Sequence, residues 1–250
     1  MAVILRRGAP YLTLSLITSE ESILQDTAGI LPCILNTLFV IVLTLSIALP
    51  LGVGTAVYLT EYARSRLLVR LIEFAADTLA AIPSIIYALA GTIIFCTGLG
   101  LKKTLLSGSL TLAIMVLPTV IRTTQESLKT VPQSYREGAL GLGTGKWRMI
   151  ATVVLPSALG GILTGCILSI GRVIGESAVL LYTAGLSMSL QDLSPGNLTK
   201  ASGATLSAAL YIYAKERSDL ETAFAIAELL LLLTIALDLA VGLIGKKLKR

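Results

Sequence analysis

The chain has 250 residues, of which 54% are hydrophobic and only 14% are charged, against about 25% charged in soluble globular proteins. A soluble domain of this size could not bury that much apolar surface, so most of the chain is expected to contact lipid. The net charge of +5 is expected to orient the chain in the membrane, since no basic patch interleaved with aromatic residues predicts nucleic-acid binding. The sequence has no histidine, which excludes histidine-based catalysis and histidine metal ligands. No catalytic residue, metal site or cofactor is predicted.

Charge-free stretches long enough to cross about 30 Å of hydrocarbon predict five transmembrane helices. In chain order they are residues 27–60, 78–101, 104–121, 149–171 and about 222–245. The predicted fold is therefore an all-α membrane protein. Residues 1–29 are expected to form an external segment, and residues 30–250 a single transmembrane domain with a cytoplasmic loop at 122–150.

The distribution of lysine and arginine predicts the orientation of the spans, because these residues collect in cytoplasmic loops. Residues 61–77, residues 122–148 and the C-terminal tail together carry 12 of them, and the remaining loops carry seven. The C-terminus is thus expected in the cytoplasm of a multi-pass plasma-membrane protein, with the N-terminus outside. Five spans with this orientation and no signal peptide suggest that a first span is missing.

The loop between the third and fourth spans, TVPQSYREGALGLGTGKWRMIATVVLP at 130–156, predicts two short helices joined by a turn. Pro132 suits a first helical position, and Ser134 and Glu137 have the spacing of a capping box. The glycines at 141 and 143 are expected to end the first helix, and Thr144 to cap the second. Three apolar residues fall on one predicted helix face: Tyr135, Ala139 and Leu142. Such a face suits either the lipid headgroups or a groove on a partner protein.

This loop resembles the EAA loop of ABC importer permeases. The pattern Glu-Ala-Ala, three residues, Gly, nine residues, Ile, one residue, Leu-Pro is matched in spacing throughout, by Glu137, Gly138, Ala139, Gly143, Val153, Leu155 and Pro156. Gly138 stands for alanine and Val153 for isoleucine. The resemblance implies a coupling helix that docks on a cytoplasmic ATPase dimer through these residues together with Tyr135 and Leu142. No GxxxxGK[ST] loop is present, so the ATPase would be a separate subunit.

The fourth span contains two charged residues, Arg172 and Glu176, which are four apart and are expected to share a helix face. Charges inside a bilayer are costly and usually face a partner or an aqueous path. Two interpretations stay open: a structural ion pair near the outer interface, and a site for a phosphate-like anion.

Several stretches resemble the PstA-type permeases of phosphate importers: LPLGVGTAVYLTEYA at 49–63, GRVIGESAVLLYTAG at 171–185 and LSAALYIYAKE at 206–216. The resemblance implies a substrate path that includes Arg172 and Glu176. It also implies three kinds of partner besides the ATPase: a PstC-like second permease, an extracytoplasmic phosphate-binding protein and phosphate itself. Members of that family usually have six spans.

The remaining features concern packing and alternatives. Small-xxx-small spacing predicts close helix packing in the fourth span at four glycines: Gly161, Gly165, Gly171 and Gly175. Glu228 and Asp238 interrupt the last span and are interpreted as packing or interface residues. The alternatives are a permease for molybdate or sulfate, a non-transporting membrane regulator, and a membrane enzyme that uses the scattered carboxylates.

Overall fold

The computed structural model describes residues 2–20, 29–192, 194, 197 and 199–248, and the regular structure in this part of the chain is helical. The helices are α1 Ala2–Gly8, α2 Leu14–Thr18, α3 Leu31–Val57, α4 Arg66–Ala81, α5 Ser84–Gly91, α6 Leu105–Thr130, α7 Gln133–Gly141, α8 Lys146–Met149, α9 Leu155–Gly175, α10 Ala178–Thr183, α11 Leu206–Tyr211 and α12 Leu220–Leu248. Four π-helical segments continue α3, α5, α8 and α11: π1 Tyr58–Tyr62, π2 Thr92–Gly98, π3 Ile150–Val154 and π4 Ile212–Glu216.

Four continuous helical stretches are long and apolar enough to cross a membrane. They are Leu31–Tyr62, Leu105–Thr130, Lys146–Gly175 and Leu220–Leu243. They confirm the first, third, fourth and fifth predicted spans. The third is longer than predicted, because its helix continues past Arg122 to Thr130, so the first nine residues of the predicted loop 122–150 are helical.

The second predicted span is a bent pair of helices. Arg66–Ala81 and Ser84–Gly98 meet at an angle of 100°, at a break that contains Ile82 and Pro83. Proline lacks a backbone N–H and its ring clashes with the preceding turn, which accounts for the break. Counting this pair as one span gives the predicted five.

The segment 61–77, predicted as a loop, is mostly the helix α4. Its two acidic side chains contact α6: Gln125 and Lys129 donate to Glu73, and Arg122 donates to Asp77. Its large apolar residues point outward and are exposed, for example Leu67 at 71% and Phe74 at 70%. The sequence window failed here because it rejected charged residues, although charges on one face only are compatible with an apolar outer surface.

The core is built around α6, which packs against α3 and α9. Fully buried Leu112 and Val116 of α6 belong to the same cluster as Val40 of α3 and Ile170 of α9. The connection between the fourth and fifth spans also contributes to the interior: Leu206, Ala208 and Ala209 of α11 are each 0% exposed.

The predicted external segment 1–29 contains α1, which packs along α12. The Arg7 guanidinium lies 5.5 Å from the centre of the Phe224 ring. A Cβ on Gly8 would lie 2.6 Å from a carboxylate oxygen of Glu228, so only glycine permits this approach. Residues 21–28 lie outside the described part of the chain.

Candidate functional site

The helix α7 projects from one end of the helical bundle and is the most exposed part of the 131–156 connection. Tyr135 is 54% exposed, Leu140 48%, Leu142 86% and Trp147 67%. Each of these is a large apolar side chain in a polar connection, so the surface they form suits a partner protein. Sequence reasoning missed Leu140 and Trp147, although an aromatic residue in the first turn of the second helix was a usable signal.

Some of the EAA positions are exposed, and others pack against the bundle. Glu137, Gly138 and Gly143 are exposed, and a Cβ on Gly138 or Gly143 would meet no atom within 4 Å. Ala139 and Leu155, in contrast, pack against a buried cluster. Tyr135, Ala139 and Leu142 were predicted to share one helix face, but Ala139 packs inward and Leu142 lies just beyond the end of α7.

The helix ends at Gly141, as predicted, and Gly143 has a φ of +81°, which is the left-handed conformation that glycine adopts most readily. The predicted caps differ. Pro132 precedes the helix and makes no side-chain cap, so no capping box forms. The Thr144 hydroxyl donates to the Ala139 carbonyl at 2.6 Å and thus closes α7, while Gly145 precedes α8.

Pro156 lies in the first turn of α9, directly after π3. The Leu155 N–H bonds to the Ile150 carbonyl, one residue farther back than in an α-helix. The wider turn accommodates the proline ring, which would clash with a carbonyl four residues back in a regular helix. The family-like Leu-Pro pair therefore marks where the connection enters the fourth span.

Arg136 attaches α7 to the bundle, and sequence reasoning counted it only as a positive charge. Its Nε and Nη2 donate to Glu61 Oε1 at 3.0 and 2.9 Å. Its Nη1 donates to the Val131 carbonyl at 2.6 Å, and Nη2 also donates to the Leu128 carbonyl at 2.9 Å. Val131 and Leu128 lie close by, at the end of α6, but Glu61 lies 75 residues away in π1, a separation that no local sequence pattern reports.

Beneath α7 lies a buried cluster from three spans. Its members come from the ends of α3 and α6 and from the start of the fourth span: Ala56, Val57, Leu128, Val131, Met149, Ile150, Val154 and Ala158. Ala139 and Leu155 pack on it. The connection 131–156 is thus seated on the ends of three spans.

Arg172 and Glu176 do not share a helix face, because α9 ends at Gly175 and Glu176 has an extended backbone. Glu176 Oε1 instead accepts from the Val179 N–H at 3.3 Å, at the start of α10. Among the described residues Arg172 makes no hydrogen bond or ion pair; its guanidinium lies near enough to the Tyr87 phenol for an electrostatic interaction. The ion-pair interpretation of Arg172 and Glu176 is therefore wrong in this structure.

The four packing glycines fall into two pairs. A Cβ on Gly161 would lie 2.3 Å from Ser127 Cβ, and one on Gly165 would lie 2.2 Å from Thr123 Oγ1, so both lie against α6. A Cβ on Gly171 or Gly175 would meet nothing within 4 Å. The predicted close packing is thus present in the chain for the first pair and absent, among the described residues, for the second.

The two acidic residues of the last span, Glu228 and Asp238, each have a buried carboxylate oxygen. Glu228 is 8% exposed, and its Oε2, like Oδ1 of Asp238, is buried without a hydrogen-bond partner among the described residues. No group of three potential metal ligands occurs in the described ranges.

The sequence pattern described as "binding-protein-dependent transport system inner membrane component" matches residues 48–250. The chain belongs to this family. The matched region covers the bundle from the last third of α3 onward, including α7 and Arg172.

Curated relatives confirm the predicted resemblance to PstA-type phosphate ABC permeases. The chain is 35% identical over 184 residues to the probable ABC transporter permease protein YqgI of Bacillus subtilis, an alignment that covers 74% of this chain and 63% of that protein. It is 39% identical over 175 residues to the phosphate transport system permease protein PstA of Mycobacterium leprae, covering 70% and 57%. The chain therefore spans about three fifths of the length of these relatives.

Solved structures of ABC transporters share the fold. The chain aligns to the inward-facing MetNI methionine ABC transporter with a TM-score of 0.66 at 20% identity, covering 89% of this chain and 95% of that one. It aligns to the bacterial alginate ABC transporter in complex with its pentasaccharide-bound periplasmic protein with a TM-score of 0.72 at 15% identity, covering 100% and 88%. These structures confirm the predicted ABC importer permease fold.

Proposed function

We propose that this chain is a permease subunit of an ATP-driven phosphate importer in the plasma membrane. It pairs with a PstC-like permease, receives phosphate from an extracytoplasmic binding protein and is driven by a separate cytoplasmic ATPase dimer. The C-terminus and α7 lie on the cytoplasmic side. The observation that carries the proposal is the exposed helix α7, seated on the ends of three spans in a chain of this family.

The ATPase docks on α7. The large apolar side chains exposed on α7 and just after it, Tyr135, Leu142 and Trp147, supply the kind of anchors that a protein groove buries. Glu137 and Gly138 lie on the same exposed helix. Because Arg136 and Ala139 on the inner side of α7 contact π1, the end of α6 and the start of the fourth span, a shift of α7 is delivered to the spans that border the translocation path. The cycle is alternating access, driven by the different affinities of the ATPase for the two states.

Phosphate passes Arg172. The guanidinium is half-buried at the end of α9 away from α7 and makes no ion pair within the described residues. A guanidinium presents paired N–H donors that match a phosphate-like oxyanion. Glu176, one residue beyond α9, accepts a hydrogen bond from the backbone at the start of α10. The names of the curated relatives support phosphate over other oxyanions.

The proposal is tested by ATP-dependent uptake of radiolabelled phosphate into vesicles that contain the full chain, its partner permease, ATPase and binding protein. Uptake is expected with the wild type and lost with Arg172→Ala, with Arg172→Lys retaining part of it. Lys215→Ala is the matched control, since it removes an exposed cation from π4 and should leave uptake unchanged.

Assembly of each complex is checked by size-exclusion chromatography, and unlabelled sulfate and molybdate are added as competitors. Equal uptake by the wild type and Arg172→Ala would refute a role of Arg172 in the path. Uptake of radiolabelled molybdate or sulfate, but not of phosphate, by the assembled complex would reassign the substrate. An assembled wild-type complex that transports no oxyanion would contradict the proposed function.

A further inference from the structure

The Arg136 side chain joins α7 to the rest of the bundle by hydrogen bonds. Four hydrogen bonds, of 2.6 to 3.0 Å, join it to the carboxylate of Glu61 and to the carbonyls of Leu128 and Val131. Glu61 lies in π1 at the end of the first span, whereas Leu128 and Val131 lie at the end of the third. One side chain of α7 therefore holds the ends of two spans that are far apart in the sequence.

Burial distinguishes this contact from the other ion pairs of the described residues. The side chains of Arg136 and Glu61 are 13% and 7% exposed, against 59% and 32% for Lys129 and Glu73. An exposed ion pair contributes little, while removing one member of a buried pair leaves a charge without compensation. The two carbonyls are also acceptors at a helix end, where a cation is favoured.

A second cation, Lys146, also contacts the π1 segment that contains Glu61. The Lys146 ammonium donates to the backbone carbonyl of Glu61 and lies 4.9 Å from the centre of the Tyr62 ring. Lys146 begins α8, the helix that follows α7. The π1 segment is thus held by one residue within α7 and by one just after it.

We propose that Arg136 is a positioning residue for energy coupling: it ties α7 to the ends of the first and third spans, so that movement of α7 reaches both together. The inference rests on the proposed function and deepens it. The fourth span needs no such tie, because it follows α7 directly through α8 and π3. The third span meets α7 through the two residues Val131 and Pro132, where Arg136 also bonds to the Val131 carbonyl. The first span has no direct path, because α3 is separated from α7 by the bent helix pair and α6.

The alternative is a purely structural role, in which Arg136 only keeps α7 folded. The two roles differ in one respect. Loss of a fold-stabilising contact lowers transport and ATPase activity together, in proportion to the intact complex that is lost. Loss of a coupling contact leaves ATP hydrolysis in place and separates it from movement of the spans.

The first measurement is the number of phosphates transported per ATP hydrolysed by the reconstituted complex, for wild type, Arg136→Gln, Arg136→Lys and Glu61→Gln. Arg136→Gln is expected to keep ATP hydrolysis and to lower this ratio about tenfold, a typical size of coupling between separated sites. Arg136→Lys keeps the charge but not the planar guanidinium, so its ratio of phosphate to ATP is expected to lie between those of the wild type and Arg136→Gln. Lys129→Gln, which breaks the exposed pair with Glu73, is the matched control and should match the wild type.

The second measurement does not depend on the substrate. Hydrogen exchange of the assembled complex is compared with and without ATP and vanadate, which trap the closed ATPase. In the wild type, exchange is expected to change in residues 58–63 and 128–131 as well as in 133–141. In Arg136→Gln, the change is expected to remain in 133–141 and to disappear from the other two segments.

Each result bears on the inference. A persistent change in residues 58–63 of Arg136→Gln, or a ratio equal to that of the wild type, would overturn it. So would parallel losses of transport and ATPase activity across the three variants, which is the structural outcome. Absence of phosphate transport by the wild type would refute the proposed function alone, because the exchange experiment still reports on Arg136.

Discussion

Gly161 lies where the fourth span meets α6, and replacing it with alanine tests the packing of the two helices. The added Cβ would lie 2.3 Å from Ser127 Cβ and 3.2 Å from the Thr123 carbonyl oxygen. Neither atom can rotate away, and ordinary carbon–carbon contacts are about 3.5–4.0 Å, so the helices must separate by about 1.2 Å or more. The Ser127 hydroxyl also donates to the Ala158 carbonyl at 2.8 Å, a bond that this separation breaks.

Overpacking and the lost hydrogen bond both lower the free energy of unfolding. Overpacking costs about 1–3 kcal/mol, and the lost hydrogen bond about 1 kcal/mol. The better helix propensity of alanine offsets about 1 kcal/mol, which leaves a net destabilisation of about 1–3 kcal/mol. For a chain of this length that lowers the Tm by about 3–10 °C.

The assay is thermal unfolding in detergent, monitored with a maleimide dye that becomes fluorescent when it reacts with exposed thiols. The chain suits it, because Cys33 and Cys96 are buried free cysteines and Cys166 is half-buried on α9 itself. Gly171→Ala is the control in the same helix, where the Cβ meets nothing within 4 Å, and it should raise the Tm by about 1–3 °C. A fall of equal size in both variants, or an unchanged Tm for Gly161→Ala, would refute the packing argument.

Three further predictions concern other parts of the molecule. Replacing Glu228 by leucine removes a buried oxygen without a partner in the described residues, so the same thiol assay should show stabilisation by about 1–3 kcal/mol. Replacing Leu142 or Trp147 by serine should weaken ATPase binding about tenfold or more, measured by titration of the purified ATPase, with the Tm unchanged since both side chains are exposed. The Ser194 backbone N–H, bonded to the Asp192 carboxylate, holds the pKa of Asp192 below its ordinary value. This turn should therefore be intact above about pH 3.9 and should open as the pH falls through the lower folded pKa, so that exchange of the Ser194 amide increases, an effect that Asp192→Asn removes.

The positions of the spans could be predicted because lipid tolerates few charges, and long uncharged windows report that constraint directly. The same rule failed where charge lies on one face. Glu73 and Asp77 of α4 face α6, so a helix was predicted as a loop. The first three predicted spans each contain a proline, but only Pro83 lies at a break, while Pro50 and Pro118 lie inside continuous helices. Neighbouring helices can satisfy the carbonyls that a proline leaves free.

Within the candidate site, local signals were predictable and long-range ones were not. Gly141 and Gly143 end α7 where the sequence predicted, because a left-handed residue stops a helix wherever it occurs. The contact of Arg136 with Glu61 depends on how α3 and α6 are placed, which no spacing in the sequence encodes. The relation of Arg172 to Glu176 was predicted from a continuous helix, and it failed because the Glu176 carboxylate bonds to the backbone of the next helix instead.

The two arginines of the site differ in a way that bears on their roles. Arg136 is almost fully compensated by one carboxylate and two carbonyls, as expected for a residue whose task is attachment. Arg172 is half-buried with no ion pair among the described residues, and a charge held in that way inside a membrane protein costs free energy. The cost at Arg172 therefore favours compensation by something that binds there, and an oxyanion moving through the bundle offers the charge and the geometry that a guanidinium requires.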